Sequence, residues 1–408
     1  MKRKIVLIGT LAFTFLRSHA QVKDSTFKRK EIKKTEIELL YNHYTQDGNN
    51  SAVTGGSGTE KLVVYAPAIK LNHRSFRNTI SLNAGADIIS SASTDNIDFI
   101  VSSASRRDAR TYANIGFGRD VMKQRANVHI GTGFSIESDY FSVPLSIGGN
   151  LSTKNKMRTY FFDIQMYFDD LRWGRLNEDL YKPTRLVYPA ELRYKEWYST
   201  YKRQSYNFKL GIQQIINKRN ILGIYPEITY QEGLLATPFH RIYYNDGSIG
   251  VEKFPDQRLK TILGLRLNSF VRKRIILKNR IDLYADNFGM KGIAFENETA
   301  LKLTPLLVIS PSLRLSMQQA STYFKAYMQH KPKEEFVTSD YDLSSMQTMQ
   351  LGMGMRYISG KNLNKHLVFN EITFHYLYYV RSNQLNAHII SIVLKGARIK
   401  MKEKSKNK

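Results

Sequence analysis

From residue 35 onward, apolar and polar residues alternate with a period of two. Tyr160, Phe162, Ile164, Met166 and Phe168 share one side, with Asp163 and Gln165 on the other. Tyr206, Phe208, Leu210 and Ile212 alternate in the same way with Ser205, Asn207, Lys209 and Gln213. So do Leu259, Thr261, Leu263, Leu265 and Leu267 with Lys260, Gly264, Arg266 and Asn268, and Leu307, Ile309, Pro311, Leu313, Leu315 and Met317 with Ser310, Ser312, Arg314, Ser316 and Gln318. Successive side chains of a strand point to opposite faces, so each segment is a ribbon with one oily and one wet side. Helical periodicity of any length is absent. Between Glu36 and Ile399 the pattern predicts about sixteen strands of roughly 9–14 residues, an even number of the kind bacterial outer-membrane barrels have.

The connections predict how those strands are arranged. Short turns fall near 75–77, 122–125, 153–156, 217–219, 271–274 and 304–306, and long ones at 45–59, 91–110, 169–203, 231–257 and 320–345. In an up-and-down barrel, alternate connections lie on opposite rims, so long loops on one rim and tight turns on the other match a membrane barrel with periplasmic turns. Segment 359–364 is long for its rim, while 137–139, 287–291 and 381–384 are short for theirs. The expected fold is all-β: an antiparallel up-and-down transmembrane barrel in one domain over 35–399.

Charge segregation identifies the inner face. Lys278, Arg280, Asp282 and Asp286 alternate with Ile275, Leu277, Ile281 and Leu283, and Glu296, Glu298 and Lys302 with Ile293, Phe295, Thr299 and Leu301. A charge facing lipid costs ~2–4 kcal/mol near the midplane, so these seven are expected to line a lumen. There they set ion selectivity or, more plainly, form a ladder of salt bridges in a wide wet interior. Asn279 and Asn297 interrupt the oily face. Tyr140, Phe141, Tyr167, Phe168, Phe270, Tyr357, Tyr376 and Tyr378 lie near strand ends, where interfacial aromatic girdles form.

At the N-terminus, Lys2, Arg3 and Lys4 precede an apolar stretch from Ile5 to Phe15, and Ser18-His19-Ala20 presents a cleavage site. Residues 1–20 read as a signal peptide, 21–34 as a short periplasmic segment and 400–408 as a basic tail. The 408 residues contain no cysteine, which excludes disulfides, thiol nucleophiles and cysteine-held metals. The net charge of +26 invites a nucleic-acid reading. Its excess lies in the short turns, at Lys123, Arg125, Lys154, Lys156, Arg158, Lys218, Arg219, Arg272, Lys273, Arg274, Lys361 and Lys365, and in the lysine tail. A ring of that kind meets lipid phosphates and lacks the interleaved aromatics of a single-strand binder, so lipid rather than nucleic acid is the expected partner.

Catalytic motifs are absent: there is no phosphate-binding glycine loop, no Gly-x-Ser-x-Gly and no His-Glu-x-x-His. The nine histidines are dispersed, so no metal or cofactor is expected. His375 and His388 with Ser391 offer the material for a barrel hydrolase, the alternative to a non-catalytic pore. Gly55-Gly56-Ser57-Gly58 reads as a flexible connector. Among the long loops, 169–203 opens with Asp169, Asp170, Arg172 and Trp173 and holds both tryptophans. It would either constrict the mouth or bind a partner.

Three stretches carry a family resemblance: Gln231-Glu232-Gly233 through Pro238-Phe239-His240-Arg241-Ile242-Tyr243-Tyr244, the serine-rich run at 90–107, and Ser339-Asp340-Tyr341-Asp342-Leu343-Ser344-Ser345. In these the chain resembles the domain-of-unknown-function 3570 family of exported Gram-negative proteins. The resemblance implies an outer-membrane barrel without settled activity. It also implies a genomic setting beside periplasmic flavin transferases and thioredoxin-like proteins, hence redox or flavin-modified periplasmic partners. It adds Glu232, His240, Arg241, Asp340 and Asp342 as loop candidates. The function expected is a pore or the membrane component of an envelope system; a structural or adhesive surface barrel is a further alternative.

Overall fold

The computed structural model describes residues 32–91, 107–137, 140–171, 202–237, 240–362 and 367–401. The signal segment, Arg172, Trp173 and Trp197 lie outside the described residues, as does most of the serine-rich run. Strands follow one another as β1 (Ile32–Asp47), β2 (Leu62–Ser75), β3 (Asn78–Ser91), β4 (Arg107–Val121), β5 (Ala126–Glu137), β6 (Tyr140–Ser152), β7 (Arg158–Asp170), β8 (Lys202–Ile215) and β9 (Asn220–Gly233). A small hairpin, β10 (Arg241–Tyr243) and β11 (Ile249–Val251), precedes β12 (Gln257–Arg272), β13 (Ile275–Asp286), β14 (Lys291–Lys302), β15 (Leu307–Gln318), β16 (Met346–Asn362), β17 (Leu367–Arg381) and β18 (Asn386–Met401).

All but β10 and β11 form one closed antiparallel barrel of sixteen strands. Closure is made by β1 on β18, in unbroken register from Ile32 opposite Met401 to Asp47 opposite Asn386. The wall therefore takes in residues that the sequence pattern had assigned to the N-terminal segment and the basic tail. Its strands run from 12 to 17 residues, several longer than the alternation indicated. A tilted strand needs only ~9–11 residues to cross a bilayer, so their ends project beyond it.

Register lines the outward residues up around the wall. Ile130, Ile147, Ile164, Phe208 and Ile228 are successive partners across β5 to β9. Leu259, Leu263 and Leu267 on β12, Ile281 and Leu283 on β13, and Ile293 and Phe295 on β14 continue the belt, each more than a third exposed. An apolar surface this continuous far exceeds the few hundred Å² that a water-soluble monomer exposes. Lipid is the solvent it fits.

The two polar interruptions of that belt satisfy each other. Asn279 and Asn297 are register partners, and Asn297 donates to the Asn279 amide oxygen at 2.8 Å while Thr299 donates to Asn297 at 3.0 Å. A buried amide left without a partner costs several kcal/mol, which explains why the two residues come as a pair. The aromatic assignments need two corrections. Tyr167 lies on the inner face of β7 and donates to Gln165 at 3.1 Å. Phe270 is opposite Ile276, out of phase with outward Leu263 and Leu267. Alternation, not proximity to a strand end, decides the side.

The packed interior lies outside the wall. Phe288, Ile242, His330, Val337, Thr338 and Ser339 are the largest fully buried side chains among the described residues, and all belong to connections on the long-loop rim. Connections 48–61, 234–256 and 319–345 fold together there with the turns 287–290 and 382–385. They form a cap.

Candidate pore and its capped mouth

The lumenal charges are arranged by register. Lys278 and Glu298 face each other across β13 and β14 and pair at 2.7 Å. Arg280 reaches Asp282, two residues along its own strand, at 2.7 Å. Asp286 is held by Arg258, whose Nε lies 3.0 Å from it, and by Tyr284 at 2.7 Å. Glu296 stands between Arg280 and Arg314 in the register, and the Lys302 ammonium is 6.0 Å from the Phe270 ring centroid. Elsewhere Lys209 meets Glu227 at 3.1 Å, and Lys395 meets Glu371 at 3.1 Å and Glu38 at 3.7 Å. Lys278–Glu298 and Arg280–Asp282 are partly exposed, and pairs of that kind contribute at most about 1 kcal/mol each, whereas Arg258–Asp286 is buried. The inner faces of β3 to β7 carry the Arg110–Asp87 and His129–Asp163 contacts at 3.0 and 3.5 Å among small groups such as Ser81, Gly116, Gly131 and Ser146.

The hydrolase constellation does not assemble. His375 and Ser391 are register partners on the inner face, whereas His388 faces outward against Tyr376, whose hydroxyl lies 2.8 Å from His388 Nδ1. The wall separates the two histidines.

Three further candidates move from loop to wall. Asp169 and Asp170 end β7, and Asp169 is buried against Arg203 at 2.8 Å. Glu232 is the next-to-last residue of β9 and accepts from Tyr230 at 3.3 Å. Arg241 opens β10.

The cap is built by exchange between loops. Backbone bonds run both ways between Lys253 and Val337, at 3.0 and 2.9 Å, and Asn245 donates to the His330 carbonyl at 2.9 Å. Phe254, Phe288, Tyr323 and Phe336 pack beneath in tilted and T-shaped pairs, with successive ring centroids 5.1–5.6 Å apart. The Arg258 guanidinium lies 4.5 Å from the Phe288 centroid. His330 is fully buried, its Nδ1 2.7 Å from Glu334 and its Nε2 2.9 Å from the Thr338 carbonyl.

The glycine run is not a slack connector. Residues Ala52–Thr54 form a 3-10 turn that Gly55 ends in the left-handed region. At Gly56, with φ of 84°, an added Cβ would lie 2.6 Å from the Ser339 carbonyl oxygen. Only glycine allows both that backbone conformation and that approach.

The cap is tied to inward-pointing wall residues. Arg381 on β17 pairs with Asp342, Gln46 on β1 donates to the Glu60 carbonyl at 3.2 Å, and Arg258 on β12 lies under Phe288. In barrel order β12 to β18 and then β1 are eight consecutive strands, and the ties of the cap to the wall fall within them.

Titratable groups crowd its centre. His240 Nδ1 lies 3.4 Å from Glu252 Oε1 and 3.8 Å from Asp340 Oδ2, and all three donor atoms fall within 4.8 Å of one another. Among the described residues this is the one cluster with the donors to hold a metal ion. Burial and the neighbouring Asp342 push Asp340 up to about 6. Burial and Asp342 likewise push Glu60 up to about 7, against the pull of Arg381. For His240, burial opposes the charged ring, but the bond to Glu252 and the charge of Asp340 outweigh it and raise the pKa. Glu334 is the opposite case: bonds from Lys325 and His330 overcome burial and hold it down to about 2.

The sequence singled out His240, Asp340 and Asp342, but not Glu252, Glu60, Thr338, His330 or Arg381. No local pattern marks those five, because they are brought together only when separate loops pack.

Among solved structures, the chain is similar to a bacterial polysaccharide outer membrane secretin, at 8% identity and a TM-score of 0.46, covering 89% of this chain and 98% of that one. It is also similar to OpdQ of Pseudomonas aeruginosa, at 9% identity and 0.41, over 93% and 100% of the two chains. A BenF-like porin from Pseudomonas fluorescens matches at 7% identity and 0.41, over 88% and 98%. No curated protein matches the sequence. The model of the family described as protein of unknown function (DUF3570) matches residues 102–397, most of the chain, and the protein belongs to that family.

Proposed function

We propose that the protein is an outer-membrane barrel through which small polar solutes pass, with a loop cap covering part of the mouth. The closed sixteen-strand wall, apolar outside and charged inside, carries this reading. A barrel of that strand number leaves an aqueous channel when nothing fills it, and here the inner wall is wet. Long loops on the capped rim support an exterior position for it. Membrane lipid is the partner that the belt supports. The hydrolase alternative is the less supported reading, since His375 and His388 lie on opposite faces of the wall.

Planar-bilayer recording of the purified barrel tests the proposal. Discrete conductance steps are expected, and silence from correctly folded protein would overturn it. Glu60 adds a pH dependence. Its raised pKa means that the packed cap favours the neutral acid; that contribution is present below the ordinary glutamate range and is lost as pH rises through about 7. With chelator present, conductance should be higher at pH 8.5 than at pH 5.5, and Glu60→Gln should reduce the difference. An unchanged pH profile in that variant would exclude Glu60 from the control of the cap.

A further inference from the structure

We infer that His240, Glu252 and Asp340 form a site for a divalent cation of borderline softness, with zinc its natural probe, that staples two loops of the cap together. The inference does not depend on conduction.

Each donor is oriented before any ion arrives. His240 and Glu252 extend the β10–β11 hairpin by one further pair, the Glu252 amide donating to the His240 carbonyl at 3.0 Å. Glu252 Oε2 is occupied by the Thr237 amide at 2.7 Å, and Thr338 donates to Oε1 at 2.5 Å. Asp340 Oδ1 accepts from the Asp342 amide at 2.8 Å, which turns Oδ2 toward His240. Partners of this kind fix the direction of metal ligands.

The spacing separates a cation site from an ordinary ion pair. A direct charge-assisted N–H···O bond closes to about 2.7–2.9 Å. The same cap contains one, His330 Nδ1 to Glu334 at 2.7 Å. His240 Nδ1 instead stands 3.4 and 3.8 Å from two carboxylate oxygens. Tetrahedral zinc with bonds of about 2.0–2.1 Å places neighbouring ligand atoms roughly 3.3 Å apart. Both distances are longer than a direct charge-assisted bond, and the shorter is close to the edge of that tetrahedron. One imidazole nitrogen with two carboxylate oxygens suits zinc or a similar ion better than calcium, which prefers oxygen throughout. His240 and Asp340 keep 19% and 23% side-chain exposure, which leaves a solvent side for a fourth ligand.

The test uses the full-length barrel in detergent, stripped with chelator and titrated with Zn²⁺ by calorimetry and with Co²⁺ by visible absorption. One ion per chain is expected. His240→Ala should weaken binding at least about 100-fold, and Thr338→Val, which removes the hydroxyl that donates to Glu252 and accepts from the Asp340 amide, by about 10-fold. Lumenal His375→Ala should bind as the parent does. Retention of the heat-modifiable gel band shows that each variant still forms the barrel. Absence of saturable one-to-one binding, parent-like titration of both His240→Ala and Asp340→Asn, or a preference for Ca²⁺ would each overturn the assignment.

Discussion

Replacing residues 323–337 with a short Gly/Ser linker is expected to raise single-channel conductance several-fold. The segment supplies Tyr323, Phe336, His330 and Val337, which fill the cap, and it carries the backbone bonds to Lys253 and Asn245. Its removal takes away the packing that holds connection 234–256 in place. The wall does not depend on it, since every wall strand is bonded to two neighbours and the barrel closes through β1 and β18. The variant should therefore keep its β-sheet circular dichroism and heat-modifiable migration while its mouth opens. Parent-like conductance from an assembled variant would place the cap outside the solute path. It would then leave adhesion or partner binding as the role of these loops.

The fold was legible because lipid and water impose a pattern residue by residue. Alternation such as Leu263, Gly264, Leu265, Arg266 and Leu267 records on which side of the wall each position lies, and the rims follow from connection length alone. All three short exceptions on the long-loop rim, near 137–139, 287–291 and 381–384, are true hairpins of the barrel. The errors came where a second criterion displaced alternation. Tyr167 and Phe270 were assigned outward for their place near strand ends, although parity points both inward. Asp169 was assigned to the long connection 169–203 and Glu232 to a loop through the family resemblance, although each is the next-to-last residue of a wall strand.

The cap was much less legible, for a physical reason. Its cohesion comes from side chains on different loops, such as Thr338 with Glu252 or Asp342 with Arg381, and no periodicity relates such positions. Gly55 to Gly58 shows the ambiguity well: a glycine run is equally suited to slack chain and to close backbone approach, and only the neighbouring Tyr243 and Ser339 decide between them. His240 and Asp340 drew attention separately, through two stretches of family resemblance. Glu252, the buried third member of the cluster, sits in a stretch with nothing to distinguish it.

Leu265→Arg is expected to block most of the barrel's assembly, while Arg266→Leu, one position on, should leave it nearly intact. Leu265 lies between outward Leu263 and Leu267 and opposite Ile224, in the middle of the apolar belt. An arginine there costs ~2–4 kcal/mol near the bilayer midplane. A protein of ordinary stability has only about 5–15 kcal/mol to lose, so the folded fraction should fall sharply in mild denaturant. Arg266 faces inward, its guanidinium 4.7 Å from the Tyr225 ring centroid and its register partner the like-charged Arg280. Removing it gives up a stacking contact of about 0.5–1 kcal/mol and relieves a repulsion. Folding into lipid vesicles, followed by the heat-modifiable gel shift across a urea series, compares the two directly. Because a one-residue slip exchanges the faces of a strand, equal defects in both variants would mean that the inside and outside of this wall have been assigned wrongly.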